Sequence, residues 1–75
     1  MGGLNMLQLS TREKEVLSML ALNDEVIAER LFIAVPTVRT HIKNIRKKLR
    51  CKSRCHSLWF AVNKGIIKVE ELIVE

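Results

Sequence analysis

The chain has no tyrosine, one tryptophan, two phenylalanines and one proline in 75 residues. So few aromatics leave no platform on which unpaired bases could stack, which argues against single-stranded RNA as a partner. No apolar run approaches the roughly 20 residues that span a bilayer. The start Met1-Gly-Gly-Leu-Asn5 has neither a basic n-region nor a long apolar h-region, so it does not read as a signal peptide. No membrane partner is expected, and the expected compartment is the cytoplasm. There the two cysteines, Cys51 and Cys55, would be free thiols. Repeats, low-complexity linkers and strand pairing are also missing. The length suits one domain over residues 1–75, with a core at about 9–67 and a C-terminal tail at 68–75. Such a domain has one thin core and can hardly supply the walls of a catalytic cleft. No enzyme is expected.

The most informative absence is that of acids from the middle of the chain. Between Arg30 and Lys68 stand eleven Lys or Arg and no Asp or Glu. The eight acids lie in Glu13 to Glu29 and in Glu70 to Glu75. The net charge is +5 and the sequence pI about 9.7. A long basic block with its acids at the ends implies an electropositive face aimed at a polyanion.

Within that block, Val35, Val38, Ile42, Ile45 and Leu49 recur at steps of three, four, three and four. That spacing is one apolar stripe on an α-helix. At about 100° per residue, Pro36, Thr40, Lys43 and Lys47 fall on the opposite face. Arg39 and Arg46 flank them on one side, and Thr37, Asn44 and Lys48 on the other. A buried stripe backing a face of Lys, Arg, Thr and Asn suits a helix laid against a polyanion. A solvated basic face is the plainer reading for a lone helix, and the charge map of the whole chain counts against it.

Three further helices are expected. Ser10-Thr-Arg-Glu13 is a capping box that opens the first, over 11–22, with Val16, Leu17 and Leu20 inward. Asn23 or Asp24 caps the second, over 24–31, with Ile27, Ala28 and Leu31 inward. The basic helix spans 35–49, and Pro36 is tolerated in its first turn, where its missing N–H has no intrahelical partner. Ser53 caps the fourth, over 54–63, with Leu58, Ala61 and Val62 inward and Gly65 as its stop. After it, 66–75 is either one or two helical turns or an extended segment at 66–69. A short helix, a turn of about three residues and a longer basic helix make a helix-turn-helix. The fold class is therefore all-α, a four-helix (tetrahelical) helix-turn-helix bundle. In that motif the second helix enters the major groove.

Four stretches carry the reading further. Leu9-Ser-Thr-Arg-Glu-Lys-Glu-Val-Leu17, Ile27-Ala-Glu-Arg-Leu31, Thr37-Val-Arg-Thr-His-Ile-Lys-Asn-Ile45 and Lys47-Lys-Leu followed by Lys52-Ser-Arg54 together resemble the LuxR/FixJ-type (GerE-like) DNA-binding domain. The resemblance runs from about Leu9 to Ile67. It implies a sequence-specific binder of double-stranded DNA acting as a bacterial transcription regulator on the nucleoid, without a cofactor. Carried over by position, Arg39, Thr40 and Lys43 match base-contacting sites of the family. Thr37, Lys47, Ser53 and Arg54 match positions near the phosphates. The fourth helix often forms the dimer contact in that family, and RNA polymerase is a further partner of such regulators. Many members also carry a receiver or ligand-sensing domain before this one, so the chain would be a stand-alone regulator or a piece of a larger one.

The chain departs from the family pattern in four places. The turn between helices one and two is two residues shorter and lacks its usual Gly. Phe32 stands for a common Gly, and is strained if the site needs positive φ. Ala34 replaces the usual Ser cap of the basic helix, a loss of about 1 kcal/mol. Arg50 stands where Gly usually ends that helix.

The remaining reactive residues have bland readings and sharper ones. Cys51, Cys55 and His56 could give three ligands of a zinc site, which needs four. Small buried hydrophobes are the plainer roles for the two cysteines, and a Cys51–Cys55 disulfide switch is a third option. His41 falls at the border of the core, packed there or near the DNA backbone, and no second acid, base or nucleophile is placed to pair with it. Trp59 and Phe60 cannot both face inward. An exposed Trp59 beside Cys55 and Val62 would be either the anchor of a weak homodimer or a lone surface aromatic. A rival reading keeps the basic face but gives it an acidic protein partner in place of DNA.

Overall fold

A computed structural model describes residues 9–73. The opening segment Met1–Asn5 and the terminal Glu75 lie outside the described residues. Four α-helices follow in chain order: α1 (Thr11–Ser18), α2 (Asp24–Leu31), α3 (Val35–Leu49) and α4 (Arg54–Asn63). A single 3-10 turn at Val69–Glu71 comes after them. Among the described residues there is no strand, so the class is all-α as expected. No helix among them is long and apolar enough to cross a membrane.

The helix boundaries follow from local chemistry. At α1, Glu13 N–H donates to Ser10 Oγ at 3.1 Å, and Ser10 N–H donates to Glu13 Oε1 at 2.9 Å. That reciprocal pair is the expected capping box. At α2 the cap is Asn23, whose Oδ1 accepts from Val26 N–H at 3.0 Å. At α4, Ser53 Oγ accepts from His56 N–H at 3.1 Å. Gly65, just past α4, has φ of 73°, the left-handed geometry that suits glycine at a helix stop.

One boundary differs from the sequence reading. Helix α1 stops at Ser18, not near residue 22. From there Met19, Leu20 and Leu22 N–H groups donate to carbonyls three residues back. The tighter turn has a packing cause. In a continued α-helix Leu22 would point well away from Leu17 and Leu20. The tightened turn buries Leu20 and Leu22 together.

Helix α3 is the centre of the molecule and packs against α1, α2 and α4. Its stripe is buried at Val38, Ile42, Ile45 and Leu49, with Val35 half-buried at the rim. Val16 and Leu17 of α1, Ile27 and Leu31 of α2, and Ala61 of α4 close the core around it. On α4, Leu58 and Val62 are only half-buried, and the fully buried neighbour of Ala61 is Ser57. A polar residue can sit there because Ser57 Oγ donates to Ser53 C=O at 3.0 Å. Leu72 and Ile73 also pack against the core, and Ile73 N–H donates to Ser18 C=O at 3.0 Å.

Two departures from the family pattern carry strain. Phe32, after α2, has φ of 57°, and Arg50, after α3, has φ of 56°. Each is a non-glycine residue in the left-handed region. Phe32 is 94% exposed, so burial does not offset its backbone cost. At the start of α3, Ala34 has cap geometry (φ −75°, ψ 151°) but makes no side-chain cap bond. Ala34→Ser therefore adds an acceptor where the backbone already presents its N–H groups. Urea unfolding should show a gain of about 1 kcal/mol for this variant. An unchanged midpoint would mean that solvent already satisfies those groups equally well.

Candidate nucleic-acid interface

The outward face of α3 is built by the same periodicity that buries its stripe. Thr37, Arg39, Thr40, Lys43, Asn44 and Lys47 are all exposed. Thr40 Oγ1 donates to Pro36 C=O at 3.1 Å, which fixes the hydroxyl and leaves its oxygen able to accept. The last turn of α3 holds Arg46, Lys47 and Lys48, which complement the negative end of the helix dipole.

Two shallow concavities flank this face. Arg39, Lys43, Ser53 and Arg54 line the first, with Asp24 and Lys52. Lys43, Lys47, Arg50 and Lys52 line the second, and Arg46 forms part of both walls. Among the expected site residues, Arg39, Lys43, Ser53 and Arg54 are thus brought together in one concavity, and Lys47 lies in the next. Thr37 and Thr40 sit on the exposed helix surface outside both.

Arg54 is anchored in a way the sequence does not show. Its Nε donates to Leu20 C=O at 3.2 Å, and Nη2 donates to Leu22 C=O at 2.7 Å. Nη1 donates to Asp24 Oδ1 at 2.6 Å. One guanidinium at the start of α4 thereby gathers the turn after α1 and the start of α2. Ser53, expected near phosphate, caps α4 and remains exposed. On α3, Arg46 Nη2 donates to the Lys52 carbonyl and ties the α3–α4 connection to the helix.

Four charged residues that line the two concavities were not among the expected site residues: Asp24, Arg46, Arg50 and Lys52. Asp24 is an acid inside an electropositive surface. Its Oδ2 accepts from Arg39 Nε at 3.3 Å, beside the Arg54 contact. Glu25 and Glu29 follow it, so a linear charge map places it at the chain's acidic end. Arg46, Arg50 and Lys52 carry only a generic signal, membership of the basic block.

Two carboxylates stay ionised in this structure for stated reasons. Burial alone would raise the Asp24 pKa, but Arg54 and then Arg39 outweigh it and hold the group below its ordinary 3.8. Burial likewise opposes ionisation of Glu13. Its contact with Lys48 Nζ at 2.7 Å and the Ser10 N–H prevail, and the pKa falls below 4.5. Lys48 thus ties the basic helix to the cap of α1.

Other residues are placed as follows. Cys51 is buried as expected, with Sγ 3.4 Å from Leu49 C=O. Cys55 is not: it is exposed, because the second position of α4 faces away from α3. Both thiols are free. Among the described residues no group of His, Cys, Asp and Glu is arranged to hold a metal ion. His41 is half-buried. Trp59 is 63% exposed, and Phe60 is the half-buried member of the aromatic pair.

A family described as "Bacterial regulatory proteins, luxR family" matches residues 7–61. The chain belongs to the LuxR-type regulator family. It is 41% identical over 59 residues to YxjL of Bacillus subtilis (strain 168), described as an uncharacterized transcriptional regulatory protein. That match covers 76% of this chain and 27% of the relative. It is 43% identical over 49 residues to the nitrate/nitrite response regulator protein NarL of Escherichia coli (strain K12), covering 63% of the chain and 23% of NarL. With the oxygen regulatory protein NreC of Staphylococcus carnosus (strain TM300) it shares 38% over 61 residues, 79% of the chain and 28% of NreC. The chain spans about a quarter of the length of these curated relatives. No solved structure matched the chain. The family is one of regulatory proteins and is not an enzyme class.

The two ionised carboxylates predict how stability responds to acid. Each has a folded-state pKa below its unfolded value, so its contribution is complete above 4.5 for Glu13 and 3.8 for Asp24. It is lost as pH falls through the lower folded-state values. Urea midpoints measured from about pH 6 to about pH 3 should therefore fall steeply at the acid end. Lys48→Met should flatten the part that belongs to Glu13. An acid dependence identical in that variant would show that the Glu13–Lys48 pair adds nothing to stability.

Proposed function

We propose that the chain binds double-stranded DNA sequence-specifically as a bacterial transcription regulator, with α3 in the major groove. The observation that carries this is the two-sided character of α3. Its outward face exposes Thr37, Arg39, Thr40, Lys43 and Lys47, while the stripe behind it is fully engaged with three other helices. Relatives named transcriptional regulatory proteins support the same reading.

In this reading Arg39, Thr40 and Lys43 meet base edges. Arginine and lysine suit guanine O6 and N7, and the Thr40 oxygen, its proton given to Pro36 C=O, can accept from a base amino group. Thr37, Lys47 and Ser53 lie where they would meet phosphate. Arg54 has a dual part. Three of its five N–H donors hold the fold, and the remaining two are offered to phosphate from the concavity. RNA polymerase is the further partner that a regulator would engage, and the cytoplasm with its nucleoid is the matching location.

Salt tests the proposal directly. About four to six phosphate contacts per monomer give a log–log slope of affinity against salt of about −4 to −5. Lys47→Ala should reduce that slope by about 1 and weaken all sequences alike. A flat response to salt would overturn the electrostatic reading.

We also propose a weak homodimer through α4. Cys55, Trp59 and Val62 follow at steps of four and three on one edge of that helix, and Trp59 is its exposed aromatic. The patch is too small for a tight dimer, so pairing is expected on DNA. Trp59→Ala should reduce cooperative binding to a two-fold site and leave half-site affinity nearly unchanged. Because Trp59 is exposed, the variant should keep its helicity by circular dichroism. A folded variant with undiminished cooperativity would exclude this face.

A further inference from the structure

We propose that Asp24 is a positioning residue for base reading: it holds Arg39 by one edge so that the other edge can read a guanine. The inference rests on the DNA-binding reading above and deepens it.

Asp24 is the first residue of α2, but it does not cap that helix, because Asn23 does. Its carboxylate is therefore available to other elements. Oδ1 accepts from Arg54 Nη1 at 2.6 Å, and Oδ2 accepts from Arg39 Nε at 3.3 Å. Arg54 is itself fastened to the Leu20 and Leu22 carbonyls. The carboxylate is thus a fixed point, with its side chain only 19% exposed. Arg39, by contrast, is 64% exposed and lies in the first half of α3.

The choice of donor matters. Arg39 meets Asp24 through Nε, the nitrogen nearest its stem. Its remaining donors are on Nη1 and Nη2. A pair of parallel N–H groups matches the O6 and N7 acceptors that guanine shows in the major groove. A guanidinium already held along one edge also loses less rotamer freedom on binding.

The charge of Asp24 points the same way. An acid lining the concavity with Arg39, Lys43 and Arg54 offsets part of their pull on a phosphate there, leaving the two remaining Arg54 donors to hold one less tightly. It therefore lowers affinity for DNA in general while directing Arg39 to a base. A residue that served only the fold would not combine those two effects.

The test uses the full chain and a duplex recovered from a random pool. Each guanine is replaced in turn by 7-deazaguanine, which lacks the N7 acceptor. The wild type should lose about tenfold in affinity at one guanine per half-site, and Arg39→Ala should be insensitive there. Asp24→Asn should cut that penalty to about threefold or less while binding unselected duplex as well as wild type or better. A fold defect would instead weaken both. Asp24→Glu, which keeps the charge but displaces it, should also lose discrimination, and circular dichroism follows both variants.

A full penalty retained by the folded Asp24 variants would overturn the proposal. So would a further loss on adding Asp24→Asn to Arg39→Ala, which would show that Asp24 acts elsewhere. If neither Asp24 variant folds, Asp24 acts through stability and the proposal falls. Selective binding with no sensitivity to 7-deazaguanine would sink this inference alone. Absence of duplex binding by the wild type would sink the function itself.

Discussion

The position of α4 against the rest of the molecule depends on the Arg54 guanidinium. The connection after α1 is short and contains no glycine, and its tightened turns leave the Leu20 and Leu22 carbonyls without helical partners. Carbonyls left without a partner near the core would be costly. Arg54 satisfies both and reaches on to Asp24, so the turn is held by a residue far along the chain. A lysine could not do this, because a single ammonium lacks the planar fork that meets three acceptors at fixed angles. Removing Arg54 would leave the partly buried Asp24 carboxylate with only the longer contact to Arg39 and both carbonyls without this donor, which is costly.

Helix α3 is fixed on all sides by a different set of contacts. Its apolar stripe supplies the burial, but burial alone does not set rotation or tilt. Lys48 reaches Glu13 of the α1 cap, Arg39 reaches Asp24 at the start of α2, and Arg46 reaches the Lys52 carbonyl before α4. These cations come from the rim of the outward face. The residues that aim the helix therefore lie beside those that would touch DNA, and Arg39 belongs to both groups. The left-handed residues at either end, Phe32 and Arg50, work against this economy. Each costs about 1–2 kcal/mol relative to an unstrained backbone, and both remain because the chain must reverse sharply before and after α3.

Most of the fold was legible because its signals are local. The bounds of α2, α3 and α4 follow from Asn23, Pro36, Ser53 and Gly65, each within a turn of the helix end it marks. The outward face of α3 was legible for the same reason, since periodicity alone separates Lys43 and Lys47 from Ile42 and Ile45. The end of α1 was not, because it is set by packing of Leu22 and by Arg54, over thirty residues away in sequence. Asp24 was read as a cap candidate and belongs to the groove instead, since Asn23 takes the cap. Cys55 was given two readings, a small buried hydrophobe and a neighbour of an exposed Trp59, and the first fails because its place in the first turn of α4 turns it outward. Linear reading finds faces and caps; it does not find which cation meets which distant acceptor.

That distinction changes how the basic block should be weighed. The eleven cations between Arg30 and Lys68 are not equivalent. Arg39, Lys48 and Arg54 have acid partners, and these three set geometry. Lys43, Lys47, Arg50 and Lys52 are exposed and show no ion pair among the described residues. These four line the second concavity together, along the C-terminal half of α3 and the connection after it. The exposed cations that show no ion pair are therefore concentrated at the C-terminal end of α3, and the acid-held Arg39 lies towards the other. A duplex drawn by the lysine-rich end would be met by a preset arginine at the N-terminal end. On the proposed reading, Arg39 and Thr40 would read bases from the N-terminal half of α3, Lys43 would stand where the two ends meet, and Lys47 would attract phosphate.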